Sequence, residues 1–264
     1  METTLQTQTE VTKINPSELS FERRNRIKIF LDTLAKTEGI DDSEVHTVKL
    51  AYCPKTTLFN TLFDNKTEVE VVNEDCIMTA RKYAKLGKVC ILNMANDLIP
   101  GGGVERGSMA QEEELCRKSD LYPSLNPRMY PLQANEFIYT ENITFFKGSR
   151  YRDILPFKVD VLTIAAPNLR DVKKDKGFDK IAYAALINYK LDCILNTPAL
   201  KSCEYLVLSA FGCGAFKNNP EFIAKQFKKA LENNKHLPYK KIIFSIIDDK
   251  NGNGNFETFK KILN

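Results

Sequence analysis

Three glycines, Gly101, Gly102 and Gly103, follow the apolar run Val89–Leu92, and after seven further residues come Gln111, Glu112, Glu113 and Glu114. Carboxylates give and take protons or fix hydroxyl groups. Glycine has no Cβ and tolerates positive φ, so a run of it lets backbone N–H groups come close to a ligand. A second such place is Gly212-Cys213-Gly214-Ala215-Phe216, directly before Asn219-Pro220. Free N–H groups and the dipole of a following helix suit a pyrophosphate there, and a plain tight turn suits the same residues. It lacks the Lys-Ser/Thr of a phosphate-binding P-loop and the spacing of a dinucleotide fingerprint. Gly214 is read as the position in it that requires φ > 0.

These groups have to be carried by regular elements. Ser108-x-x-Gln111 has the form of a capping box, which predicts a helix from Met109. Glu112 precedes Leu115 and Cys116 by three and four residues and so turns toward an apolar face. Glu114 is followed at i+4 by Lys118, which predicts a solvated pair, and Glu113 lies between. Val89–Met94, Val159–Ala165, Tyr205–Ala210 and Lys241–Ile247 read as buried strands, and Glu68–Val72 and Lys49–Cys53 as further strands. Cys76–Leu86, Asp179–Leu195, Pro220–Asn233 and Phe256–Leu263 read as helices. Pro16-Ser17 opens another, with Ile27, Phe30, Leu31 and Leu34 on one face and Gly39 at its end. Residues 122–158 are turn-rich, with short strand-like pieces near Phe137–Thr140 and Ile143–Phe146. Strands alternating with helices predict an α/β fold with helices on both faces of a sheet. Both glycine loops leave the carboxyl ends of buried strands, so they can face one cleft.

Composition narrows the field. At 264 residues with a net charge of +4, the chain is of ordinary globular make-up and is not marked as nucleic-acid-binding. No apolar run reaches the ~20 residues of a membrane span, and METTLQTQTEVTK is not a signal peptide. Residues 1–15 read as a loose polar tail. Seven cysteines without a CxxC pair favour a reducing compartment. Two histidines, His46 and His236, offer no metal-ligand spacing, so neither metal nor cofactor is expected.

GGG-x7-QEE resembles the signature of the poly(ADP-ribose) glycohydrolases, and the blocks Asn93–Asn96, Ala165–Asn168 and Ser209–Phe216 resemble the microbial-type branch in the same order. The likeness runs from about residue 68 onward. It implies a macrodomain-like three-layer α/β/α sandwich with a mixed central sheet and an N-terminal helical extension. Residues 1–47 would be tail and accessory helix, and residues 48–264 a single catalytic unit. The implied reaction is hydrolysis of the ribose–ribose O-glycosidic bond of poly(ADP-ribose), releasing ADP-ribose. Glu113 would be the acid/base and Glu112 the group holding ribose hydroxyls. Adjacent helical residues diverge by about 100°, so the two cannot clasp a bond from opposite sides as most glycosidase pairs do.

The resemblance further assigns Asn96 to the terminal ribose and Gly212, Cys213, Gly214 and Ala215 to the diphosphate, with Phe216 packing on the ribose. Gly101, Gly102, Gly103, Val104 and Gln111 complete the substrate-binding set. Asn96 also reads as a turn-former, and Phe216 as a core aromatic. Val104 and Ile99 depart from the commoner pattern, which has Phe and Asn there. The expected partners are poly(ADP-ribose) or ADP-ribosylated proteins, met by a monomer in the cytoplasm or nucleus. The alternatives are an ADP-ribose reader without turnover and a hydrolase of mono-ADP-ribose on protein side chains.

Overall fold

The computed structural model describes residues 19–53, 67–172, 177–234, 236–248 and 254–264. The expected tail at 1–15 and the helix opening at Pro16-Ser17 lie outside the described residues. Seven strands form one sheet: β1 (His46–Leu50), β2 (Glu68–Val72), β3 (Val89–Met94), β4 (Phe137–Lys147), β5 (Asp153–Ile164), β6 (Tyr205–Leu208) and β7 (Lys241–Ser245). Their order is β1-β4-β5-β3-β6-β7-β2. The β1/β4 and β4/β5 pairs are antiparallel and the remaining pairs parallel, so the sheet is mixed, as expected.

Alternation along the strands divides the core between two faces. Cys90 and Leu92 of β3 join Leu206 and Leu208 of β6 under α5 (Lys180–Leu200), α6 (Pro220–Asn233) and α7 (Asn255–Leu263). Val89 and Ile91 face the other way. They pack with Val207 beneath α1 (Phe21–Thr37), α2 (Cys76–Tyr83), α3 (Gln111–Lys118) and the short α4 (Leu121–Ser124). The result is the three-layer α/β/α sandwich. No helix among the described residues is long and apolar enough to cross a membrane.

Three expectations need correction. The turn-rich reading of 122–158 splits β4, whose two halves are the expected pieces Phe137–Thr140 and Ile143–Phe146, and misses the first half of β5. β4 carries an irregularity between Thr140 and Ile143, with Asn142 at φ 63, and this breaks its alternation. Pro156 is tolerated in β5 because only Asp160–Ile164 also pairs with β3, leaving the earlier half with β4 alone. In α1, Leu31 is exposed, while Phe30 and Thr33 are the buried residues. Helix α1 begins at Phe21 with Ser20 as its N-cap. Elsewhere the differences are of boundary: β1 starts at His46, α2 stops at Tyr83, and α5 continues to Leu200 through Pro198.

Candidate active site

β5, β3 and β6 lie side by side and parallel, so their carboxyl ends open on one edge of the sheet. From them run the loops holding Ala165–Asn168, Asn96–Gly103 and Gly212–Phe216. Backbone bonds lace these together: the Ala95 N–H donates to Ile164 O at 3.1 Å, and the Leu169 N–H to Phe216 O at 2.9 Å. The Asn218 side-chain amide donates to Pro167 O at 2.9 Å and to Gly212 O at 3.0 Å. The two glycine loops therefore share one cleft.

Helix α3 starts at Gln111, two residues later than the capping box predicts, with Ala110 as an N-cap that makes no side-chain bond. Gln111 faces back instead. Its Nε2 donates to Leu92 O at 2.6 Å, and its Oε1 accepts the Met94 N–H at 2.9 Å. The side chain completes the end of β3, beyond Ile91 where the pairing with β6 stops, and so fixes the helix to the sheet.

Glu112 and Glu113 are both buried on this helix. Glu112 Oε2 accepts the Asn96 N–H at 2.7 Å, and Oε1 accepts the Asn93 amide at 3.3 Å. Glu113 Oε1 accepts the Gly103 N–H at 3.0 Å. A Cβ on Gly102, which sits at φ 57, would stand 3.0 Å from an oxygen of each carboxylate. The two acids therefore approach the loop from adjacent positions on the helix, with Gly102 at the point they share. Only glycine leaves that point open. Burial pushes the Glu112 carboxyl up to about 8, against the backbone bond from Asn96 and with the help of the neighbouring Glu113 charge. Burial thus outweighs the helix N-terminus, which favours the ionised form.

Asn96 acts as the turn-former: its Oδ1 accepts the Leu98 and Ile99 N–H groups at 2.8 and 3.1 Å. That leaves its amide nitrogen for a ligand. In the second loop Cys213 is buried, its thiol pushed up to about 12, and its N–H donates to Ala210 O at 3.0 Å. The N–H groups of Gly214, Ala215 and Phe216 meet no acceptor among the described residues. Gly214 and Ala215 are exposed. Phe216 is half-buried against the core and carries the Arg170 guanidinium 5.6 Å from its ring centre, so packing and ligand contact are both open to it.

Four expectations change. Gly212, at φ 72, and not Gly214, is the residue in the left-handed region, and a Cβ on it would meet Ala166 Cβ at 2.5 Å. Val104 is fully buried in the core beneath α1, where an aliphatic side chain belongs, and it offers no surface to the cleft. Ser108 does not cap α3; its hydroxyl stands where a Cβ on Gly103 would be. Glu114 is not a solvated residue. It accepts from Arg117 Nη2 at 2.8 Å and from the Tyr151 hydroxyl at 2.6 Å, and pairs with Lys118 at 3.2 Å. Its carboxyl is lowered because these partners together outweigh the largest single effect, its own burial.

Sequence reasoning missed Asn93, Tyr122 and Asn218. Asn93 is buried inside a strand and joins Glu112 to Thr163, at 3.2 Å from the threonine hydroxyl. A buried amide in an otherwise apolar strand is a signal that was available. Tyr122 packs its ring on Gly101, a contact that only the fold reveals.

Residues 34–148 match the model of the microbial-type PARG (poly(ADP-ribose) glycohydrolase) catalytic domain family. A search of the curated proteins finds no match. Among solved structures, the fold is similar to a poly(ADP-ribose) glycohydrolase from Thermomonospora curvata. That match has a TM-score of 0.79 and 23% identity over 90% of this chain and 99% of the other. It is also similar to the Deinococcus radiodurans enzyme in complex with ADP-ribose, with a TM-score of 0.68 and 26% identity over 75% of this chain and 84% of that one. With the mixed sheet, the converging glycine loops and the buried acid pair already in place, residues 34–148 are thus similar to a microbial-type poly(ADP-ribose) glycohydrolase catalytic domain, and the fold is similar to that of the bacterial enzymes.

Proposed function

We propose that this protein hydrolyses the ribose–ribose O-glycosidic bond of poly(ADP-ribose) and releases ADP-ribose. The single observation that carries this is the convergence of Glu112 and Glu113 on Gly102, beside a loop with three N–H groups that meet no acceptor among the described residues. Those donors, at Gly214, Ala215 and Phe216, suit a diphosphate. Gly101–Gly103 and the Asn96 amide nitrogen line the ribose end. Glu112 keeps its proton through neutral pH, so it meets ribose hydroxyls without placing a second charge beside the substrate's diphosphate.

Glu113 gives a proton to the departing ribose oxygen as the glycosidic C–O bond breaks. It then takes one from the water that bonds to the oxocarbenium-like carbon. The site is complete within one chain, so a monomer suffices. On this reading residues 48–264 form the catalytic unit and residues 1–47 its N-terminal addition. Seven cysteines without a CxxC pair fit a reducing compartment, which supports work inside the cell.

Labelled poly(ADP-ribose) and a mono-ADP-ribosylated protein, offered separately to wild type and Glu113→Gln, test this. Wild type should consume the polymer, and Glu113→Gln should lose turnover by about 10²–10⁴ with ADP-ribose affinity within a few-fold. Binding without turnover in the wild type would make the protein a reader. Consumption of the mono-modified protein alone would move the bond to a protein side chain. Near-normal Glu113→Gln activity would remove Glu113 from the chemistry.

A further inference from the structure

Helix α1 lies outside the cleft, yet its contacts run to both elements that hold the acid pair. The matched family stretch begins at residue 34, after most of these contacts. Arg26 Nε donates to Gly107 O at 2.7 Å. Gly107 closes the short 3-10 turn Val104–Arg106 with its own N–H on Val104 O at 3.0 Å, and the Ser108 N–H returns to Gly103 O at 3.0 Å. Gly103 in turn donates to Glu113. Arg26 therefore grips the far end of a hydrogen-bonded turn whose near end holds the candidate acid.

The helix backbone enters the same contact. Gly107 sits at φ 68, and a Cβ on it would stand 2.5 Å from Arg23 O. A few residues along α1, Phe30 meets Tyr122 edge-on with ring centres 5.0 Å apart. Tyr122 lies against Gly101, where an added Cβ would be 2.6 Å from its Cδ2, and its hydroxyl donates to Glu105 Oε1 at 2.6 Å. One turn further, the Thr33 hydroxyl donates to Arg117 O at 2.6 Å, near the end of α3. The helix thus touches the turn that follows the triglycine run directly, reaches Gly101 through Tyr122, and touches the glutamate helix at a third point.

We infer that α1 is a strut for the acid pair, with Arg26 as a positioning residue that acts on Glu113 through the Gly103–Gly107 turn. The inference rests on the reading of Glu113 given above. A buried carboxylate held by one backbone N–H depends on where that N–H stands, and displacement of a catalytic group by about 1 Å can cost on the order of 10²-fold in rate. The Arg26 side chain is half-buried and bonds a carbonyl that no sheet or helix ladder uses. Its loss therefore frees the turn without opening the core.

The test is Arg26→Ala, with Arg26→Lys as the conservative variant, in the full chain. Polymer turnover, ADP-ribose affinity by calorimetry and the denaturant midpoint are measured for each. Arg26→Ala should lower kcat about tenfold, with KM and the ADP-ribose Kd within about twofold, and Arg26→Lys should recover part of the loss. Combined with Glu113→Gln, Arg26→Ala should add little, because the group it positions no longer transfers a proton. Unchanged kcat per folded molecule beside a lowered midpoint would overturn the strut. So would a full additive loss on the Glu113→Gln background. Failure of the wild type itself to consume polymer would instead overturn the functional reading.

Discussion

Gly212 and Gly214 stand two residues apart, and the structure gives them opposite responses to one added methyl. Gly212 is at φ 72 with Ala166 and the Asn218 amide closed over it. Gly212→Ala should cost about 1–3 kcal/mol of stability, read from a denaturant midpoint. A Cβ on Gly214 meets nothing within 4 Å, so Gly214→Ala should leave that midpoint unchanged. The new methyl is carried by a loop whose Gly214, Ala215 and Phe216 N–H groups meet no acceptor among the described residues. ADP-ribose affinity should therefore fall, by about tenfold for each 1.4 kcal/mol of lost contact. Equal stability loss in both variants would mean that the loop is only a turn.

At the scale of the element, α3 is charged on three sides and stays buried. Its first turn gives Glu112 and Glu113 to the cleft, Leu115 and Cys116 enter the core, and Glu114 collects Arg117, Lys118 and Tyr151. Arg117 is fully buried, and its Nε and Nη1 lack partners among the described residues. Glu114 is its one carboxylate partner there. Taking away one member of such a pair leaves an uncompensated charge, which costs far more than the pair itself contributes. Glu114→Gln keeps an acceptor but not the charge, so it should lower stability by about 2 kcal/mol. Thermal or denaturant unfolding measures this, and activity per folded molecule should persist. A neutral outcome would show that the cluster is screened by solvent.

For the whole molecule, the site leaves a mark on stability against pH. Glu112 is raised from an ordinary 4.5 to about 8 in the folded chain. Between those values the native form keeps a proton that the unfolded chain releases, so its contribution is full below about 4.5 and is lost as pH rises through about 8. The lowered carboxyls, among them Glu74, Glu114 and Glu141, act the other way, and their contributions are lost only as pH falls below the usual carboxylate range. Asp120, raised by burial to about 6, and Lys190, lowered by burial to about 8, also titrate between pH 5 and 8, so Glu112 is isolated by the difference between Glu112→Gln and wild type. Glu112→Gln should gain melting temperature relative to wild type steadily across that window. A constant difference would mean that Glu112 is ionised throughout.

The sequence by itself determined the elements whose signals are local. β2 and β3 fall at Glu68–Val72 and Val89–Met94 as charged–apolar alternation and an apolar run indicate, and α6 starts on Asn219 and Pro220 because cap and first residue are neighbours in the chain. The placement of both glycine loops at one sheet edge was legible for the same reason: each follows a buried parallel strand directly. Tertiary structure decided what depends on a partner far along the chain. β4 and β5 are long because they pair with each other across a bulge that alternation cannot show. Ser108-x-x-Gln111 yields to Gln111 bonding the end of β3, since unpaired strand backbone is the stronger demand. Glu114 becomes a half-buried partner because it bonds Tyr151 and the buried Arg117. The carboxyl state of Glu112 depends on burial, which no spacing of residues encodes.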